Sequence, residues 1–329
     1  MLNENAKLNA KLFDNDVEKA PTRDGFGNGA VEAGEKDENV VVLCADLADS
    51  TRASWFKDKF PERYVEIGVA EQNLATIGSG MAAAGKIPFI TSYAAFNPGR
   101  NYEQIRTTIA LNEQPVKVCG MHAGISVGPD GATHQMLEDL GLMRILPNMV
   151  VVYPADAEEA RKAVVAAAGN GKPTYLRFAR DKTPLMTTKE TPFSIGEAYC
   201  MWKSEKPEVA IVGCGPLVHE ALKAAKKLED EGIHVSVLNS HTIKPLDEGA
   251  VLEAARAAGA VVTVEEHQTA GGFGGAVAEL LGSEHPVPLE RVGIKDMFGQ
   301  SGEADELMAH YRLNAAAIVE AVKKVQKKK

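Results

Sequence analysis

Short apolar runs recur along this 329-residue chain, and none of them alternates with a polar face. They are VVVLCA (40–45), IPFIT (87–91), VKVCGM (116–121), MVVVYPA (149–155), TYLRFA (174–179), VAIVGCG (209–215), HVSVLNS (234–240) and VVTVEE (261–266). A strand that is apolar on both faces has to be covered on both, which is the situation of a strand inside a parallel sheet. Between the runs lie stretches of helical character at 71–84, 101–112, 156–168, 216–231 and 246–258. Parallel neighbours need a crossover, so the β-α-β-α order predicts an α/β fold built on two open, mostly parallel sheets. Ligands of such sheets sit beyond the carboxyl ends of the strands. The residues just after each run are therefore the ones to inspect.

The length predicts about two domains with full apolar cores. Residues 181–197 (DKTPLMTTKETPFSIGE) lack a periodic apolar pattern and predict a linker between a first domain, 20–180, and a second, 198–329. Residues 1–19 read as an N-terminal arm. Lys and Arg number 36 against 45 Asp and Glu, a net charge of −9, which argues against a nucleic-acid or membrane-surface binder. No apolar run approaches the ~18–20 residues of a membrane helix, and the first twenty residues lack the apolar segment of a signal peptide. Cys44, Cys119, Cys200 and Cys214 form no CxxC pair, which fits a reducing cytoplasm and offers no zinc motif. Neither GxGxxG nor GxxxxGK[ST] occurs, so nothing points to a dinucleotide or P-loop site.

Several polar residues stand where chemistry is expected. Glu71 follows the alternating Val65, Ile67 and Val69 and opens a small-residue helix. A carboxyl in such surroundings has its ionised form destabilised by desolvation, although the helix dipole favours a Glu there without any function. Tyr93 and Phe96 are close-set aromatics after the strand IPFIT, suited to a flat heterocycle or to packing under a loop, with Arg100 just beyond. His122, Asp130 and His134 are spread through a glycine-rich segment with no metal-ligand spacing. They suit hydrogen bonding and proton movement on a polyhydroxy substrate. Arg23, Ser50 and Arg180 lie where an open sheet collects phosphate, and Arg matches that geometry bidentately.

Taken together, ADLADST, FPERYVEIGVAEQN, SYAAFNPGR, GPDGATHQMLEDLGLMRILPNM, LRFAR, TIKPLD and TVEEHQTAGGFG resemble the carboxyl-terminal half of transketolase. That half comprises the pyrimidine-binding and C-terminal domains of a thiamine-diphosphate enzyme. The family's GDG…N metal motif does not occur, so the chain resembles the C-terminal subunit of a split, two-chain transketolase. The resemblance implies a cytoplasmic heterotetramer with an N-terminal subunit that holds the diphosphate and Mg²⁺ or Ca²⁺, leaving no metal ligand here. It implies transfer of a two-carbon ketol unit from a ketose phosphate to an aldose phosphate (EC 2.2.1.1, pentose phosphate pathway). Glu71 matches the glutamate that bonds N1′ of the aminopyrimidine and promotes loss of the thiazolium C2 proton. Tyr93, Phe96 and Arg100 match cofactor-binding positions. His122, Asp130 and His134 match sugar-binding positions, with both histidines moving protons. Arg23, Ser50 and Arg180 match a phosphate clamp, with Arg52 nearby. The alternatives are the β subunit of a 2-oxo-acid dehydrogenase, a deoxyxylulose-phosphate synthase-like enzyme, and a non-catalytic partner subunit.

Overall fold

In the computed structural model, which describes residues 1–329, the runs of the first domain form a seven-stranded sheet. Its order is Thr242–Lys244, Val150–Val152, Thr174–Arg177, Lys117–Met121, Ile87–Tyr93, Val40–Cys44 and Tyr64–Glu66. All neighbours are parallel except Thr242–Lys244, which runs antiparallel to Val150–Val152. The unalternating runs have the expected cause. Val40, Val42 and Cys44 pack with Phe26 and Phe56 on one face, while Val41 and Leu43 pack with Leu74 and Ile105 on the other. The second sheet runs Leu289–Ile294, Val261–Gln268, Val209–Gly213, Val235–Asn239 and Tyr199–Trp202, with only the last strand antiparallel.

The two domains share a core. One apolar cluster continues from Val41 and Leu43 through Tyr153 to Val212 and Phe273. Thr242–Lys244 leaves the second domain to close an edge of the first sheet. The segment 181–197 is a packed strap rather than a free linker. Lys182–Pro184 pairs with Lys19–Pro21, and the buried Asp156 carboxylate accepts the amides of Met186 (2.7 Å) and Thr187 (2.6 Å). The N-terminal arm is anchored too: Leu12 is buried and the Asn3 amide donates to the Met201 carbonyl at 2.9 Å. The stretch 101–112 is a short turn, Tyr102–Gln104, running into a π-helix, Ile105–Ala110. No helix is long and apolar enough to cross a membrane.

A glycine-rich helix, Thr22–Lys36, carries Arg23 in its first turn. Its glycines allow it to lie directly on helix Ala157–Gly169. A Cβ on Gly25 would stand 2.1 Å from the Ala157 carbonyl oxygen, and one on Gly29 would stand 2.7 Å from Cβ of Val164. Overpacking of this kind costs about 1–3 kcal/mol, against about 1 kcal/mol regained from helix propensity. Because that Cβ would meet backbone rather than a flexible side chain, the upper end of the cost applies, and Gly25→Ala is expected to lower stability by about 2 kcal/mol in urea unfolding. A midpoint at or above the parent value would show that the two helices have room to separate.

Candidate cofactor and substrate site

The strand Tyr64–Glu66 ends at the sheet edge, and the chain re-enters as the helix Glu71–Ala83. Close approach of this helix to the sheet depends on Gly78, where a Cβ would stand 2.7 Å from Cγ2 of Ile90. Glu71, its first residue, is only 2% exposed. A buried carboxylate needs partners, and it has two. Ser92 Oγ donates to Oε1 at 3.2 Å, and Arg100 Nη1 donates to Oε2 at 2.6 Å. Asn101 Nδ2 fixes the backbone by donating to the Glu71 carbonyl at 2.9 Å.

The Arg100 side chain is 46% exposed, so the ion pair joins a buried anion to a partner at the rim. Its guanidinium also lies over the Phe96 ring, 4.5 Å from Cζ to the centroid. Tyr93 stacks beside Phe96 with centroids 6.2 Å apart and planes at 22°. A planar nitrogen group that rests on Phe96 and donates to Glu71 shows what this niche accepts. An aminopyrimidine ring has the same flatness, and its ring nitrogen can share a proton with the Glu71 carboxyl, so the residues present fit thiamine diphosphate at its pyrimidine end.

The neighbouring strand, Lys117–Met121, delivers His122. This residue is 1% exposed and sits at φ 53°. Arg23 Nη1 lies 2.8 Å from His122 Nε2. A guanidinium only donates, so Nε2 accepts and the proton of the neutral ring is assigned to Nδ1. Burial, reinforced by the charges of Arg23, Arg180 and Arg52, pushes the His122 pKa down to about 3. A ring held neutral in this way can donate a hydrogen bond from Nδ1.

Arg23 also donates to the Ser50 carbonyl at 2.9 Å. Arg52 Nε is tied to Asp24 at 2.6 Å, and Arg180 Nη1 donates to the Val127 carbonyl at 3.0 Å. Burial and the neighbouring Arg52 lower the Arg23 pKa, the signature of crowded positive charge. Arg23 Nε and His122 Nδ1 are buried with no partner. Unsatisfied buried donors among guanidinium groups call for an anionic acceptor.

Tyr93 is the wall between the two niches. Its ring meets His122 edge-on at 4.1 Å and His134 at 6.0 Å, and His134 meets Phe96 at 5.3 Å. Glu71, Tyr93, Phe96 and Arg100 thus gather in one niche, Arg23, His122, Arg52 and Arg180 in the other, with His134 against their shared wall. Asp130 is exposed at the end of the 3-10 helix Ile125–Asp130. Ser50 offers Arg23 its backbone carbonyl rather than its hydroxyl. Ser92 and Asn101 were not singled out from the sequence, although Ser92 lies at a strand end like the residues that were. No group of three or more His, Cys, Asp or Glu side chains gathers to hold a metal ion.

Comparison with known proteins finds two family profiles that match the chain. The profile of the transketolase pyrimidine-binding domain matches residues 18–186, and that of the transketolase C-terminal domain matches residues 198–318. A protein of Methanocaldococcus jannaschii, provisionally named a transketolase C-terminal section, is 41% identical over 309 residues, covering 93% of this chain and 96% of that one. A 6-deoxy-6-sulfo-D-fructose transketolase subunit of Clostridium sp. is 38% identical over 317 residues, covering 96% and 98%. A solved structure described as a split-gene transketolase in an inactive β4 tetramer is 42% identical, with a TM-score of 0.87 over 93% of this chain and 98% of its own.

The geometry at His122 makes a direct prediction for nitrogen NMR. The ring is expected to show the Nδ1–H tautomer and no titration from about pH 8 down to about pH 5, because its pKa lies near 3. A titration midpoint near the ordinary histidine value of about 6.5 would contradict the Arg23 contact.

Proposed function

The chain belongs to the transketolase family, and from that premise we propose that it is the C-terminal subunit of a two-chain, thiamine-diphosphate-dependent transketolase. The observation that carries this reading is the pairing of two niches across Tyr93. One presents a buried carboxylate beside aromatic faces, and the other presents unpartnered Arg23 and His122 donors. The two-chain reading is supported by relatives that match this chain nearly end to end, one named a C-terminal section and one a subunit. The relative described as an inactive β4 tetramer supports the need for a second kind of chain. The partner in this proposal is the N-terminal subunit, which holds the diphosphate and Mg²⁺ or Ca²⁺, and the assembly has two copies of each chain.

Thiamine diphosphate, when bound, supplies the electron sink for breaking and forming the carbon–carbon bond. Glu71 holds and shares a proton at the pyrimidine ring nitrogen. Arg100, paired with Oε2 of Glu71 at the rim, completes the cofactor niche. Tyr93 and Phe96 fix the ring plane. Nε of Arg23 and Nδ1 of His122 hold the terminal oxyanion of ketose and aldose, with Arg180 and the Ser50 segment completing the clamp. Asp130 and His134 bind sugar hydroxyls, and His134, beside the Tyr93 wall, moves protons. The terminal anion is a phosphate in this reading. A sulfonate is the second reading, because it offers the same tetrahedral acceptor geometry and one relative is named for a sulfo-sugar.

The test is reconstitution with the N-terminal chain, thiamine diphosphate and Mg²⁺, supplied with xylulose 5-phosphate and ribose 5-phosphate. Two-carbon transfer is expected. Glu71→Ala is expected to reduce turnover by about 100-fold or more while the chain still folds, the scale of a lost proton-transfer group. Turnover of pyruvate alone, or near-normal activity of the variant, would sink the reading. Preference for 6-deoxy-6-sulfofructose as donor would select the sulfonate.

A further inference from the structure

We propose that the C-terminal domain sets the position of the substrate loop, residues 122–131, and that Glu266 is the positioning residue. The proposal rests on the reading of His122, Asp130 and His134 as substrate groups, and it assigns a task to a domain that contributes no side chain to either niche.

Glu266 lies on the strand Val261–Gln268 of the second sheet and is 1% exposed. Its Oε1 accepts the amide of Ser126 at 2.7 Å, across 140 residues of sequence. Its Oε2 accepts the Tyr153 hydroxyl at 3.3 Å. The carboxylate occupies the space a side chain at position 124 would need, since a Cβ on Gly124 would stand 2.3 Å from Oε1. Gly124 also sits at φ 92°, a conformation that favours glycine. The loop turns around this carboxylate directly after His122.

A second tie acts further along the loop. Gln135 Nε2 is within 3.3 Å of the Ile125 carbonyl, 3.1 Å of the Gly128 carbonyl and 2.9 Å of the Gln300 carbonyl. The last of these belongs to the second domain. A Cβ on Gly131 would stand 2.6 Å from Ser301 Oγ, so that segment also lies directly on the loop. Arg180 extends the effect to the anion niche, because its Nη1 bonds the Val127 carbonyl of the same loop. A shift of the loop therefore moves His122, Asp130 and the anchor of Arg180 together. Simple packing would be served by an apolar side chain. A fully buried carboxylate aimed at a loop amide fixes that amide in direction as well as distance.

The test compares Glu266→Ala with Glu266→Gln, which keeps an acceptor oxygen for the Ser126 amide. Amide hydrogen exchange on the full chain is the first readout. Exchange across 124–131 is expected to rise about tenfold in the Ala variant, the scale of one lost hydrogen bond to a charged group. The helix Glu71–Ala83 should keep its protection, and Gln should restore the loop. In the reconstituted enzyme, Glu266→Ala is expected to raise KM for both sugar phosphates more than it lowers kcat, again with rescue by Gln. Loop exchange at the parental rate in Glu266→Ala, or equal loss of protection throughout the chain, overturns the proposal. Exchange requires neither partner nor substrate. If the loop responds as expected but the wild-type complex transfers no ketol unit, the functional reading fails and the positioning role stands.

Discussion

A carboxylate buried at the first turn of a helix organises one side of this site. Glu71 cannot stay dehydrated without partners, so the neighbouring elements must supply them at fixed places. Ser92 comes from the end of the adjacent strand, and Arg100 and Asn101 from the turn that follows it. That requirement brings the Phe96 and Tyr93 rings alongside, because they sit on the same strand-end segment. The order of the sheet does the rest. Ile87–Tyr93 lies beside Lys117–Met121, so the aromatic wall stands next to His122 and the arginines around it.

The chain is acidic overall, yet it gathers positive charge in one niche. Burial, reinforced by the charges of Arg23, Arg180 and Arg52, holds the His122 ring neutral. A separate ion pair, Arg177 with Asp139 at 2.7 Å, is buried on both sides and braces the base of the loop 122–131. Arg177 also reaches the Met136 carbonyl, which accepts the amide of Gly124. Buried pairs of this kind are weak evidence for stability but strong constraints on geometry. Tyr153, under the face of Arg177, passes the constraint to Glu266 in the second domain.

The interior strands were legible because burial on both faces leaves a mark within a few residues of sequence. The helix Thr22–Lys36 leaves a fainter mark, since Gly25 and Gly29 serve its close packing on a helix more than 130 residues away and depress its local helical signal. The strand Leu289–Ile294 was missed because it lies at a sheet edge with a charged pair in the middle of a short apolar pattern. Residues 181–197 read as a linker because their anchors, the Lys19–Pro21 strand and the Asp156 carboxylate, lie elsewhere in sequence. In the site, the residue types were legible and the pairings were not. The partners of Glu71 lie 21 and 29 residues away, and those of Arg23 and Ser126 lie 99 and 140 away. No local pattern records such distances.

The central claim is that this chain supplies the pyrimidine half of a thiamine-diphosphate site and depends on another chain for the diphosphate half. Calorimetric titration of thiamine diphosphate with Mg²⁺ tests it most directly, using this chain alone, the N-terminal chain alone, and the two mixed. Tight, saturable binding is expected in the mixture and to be lost or strongly weakened in each chain by itself. Binding of equal strength to this chain alone would contradict the claim.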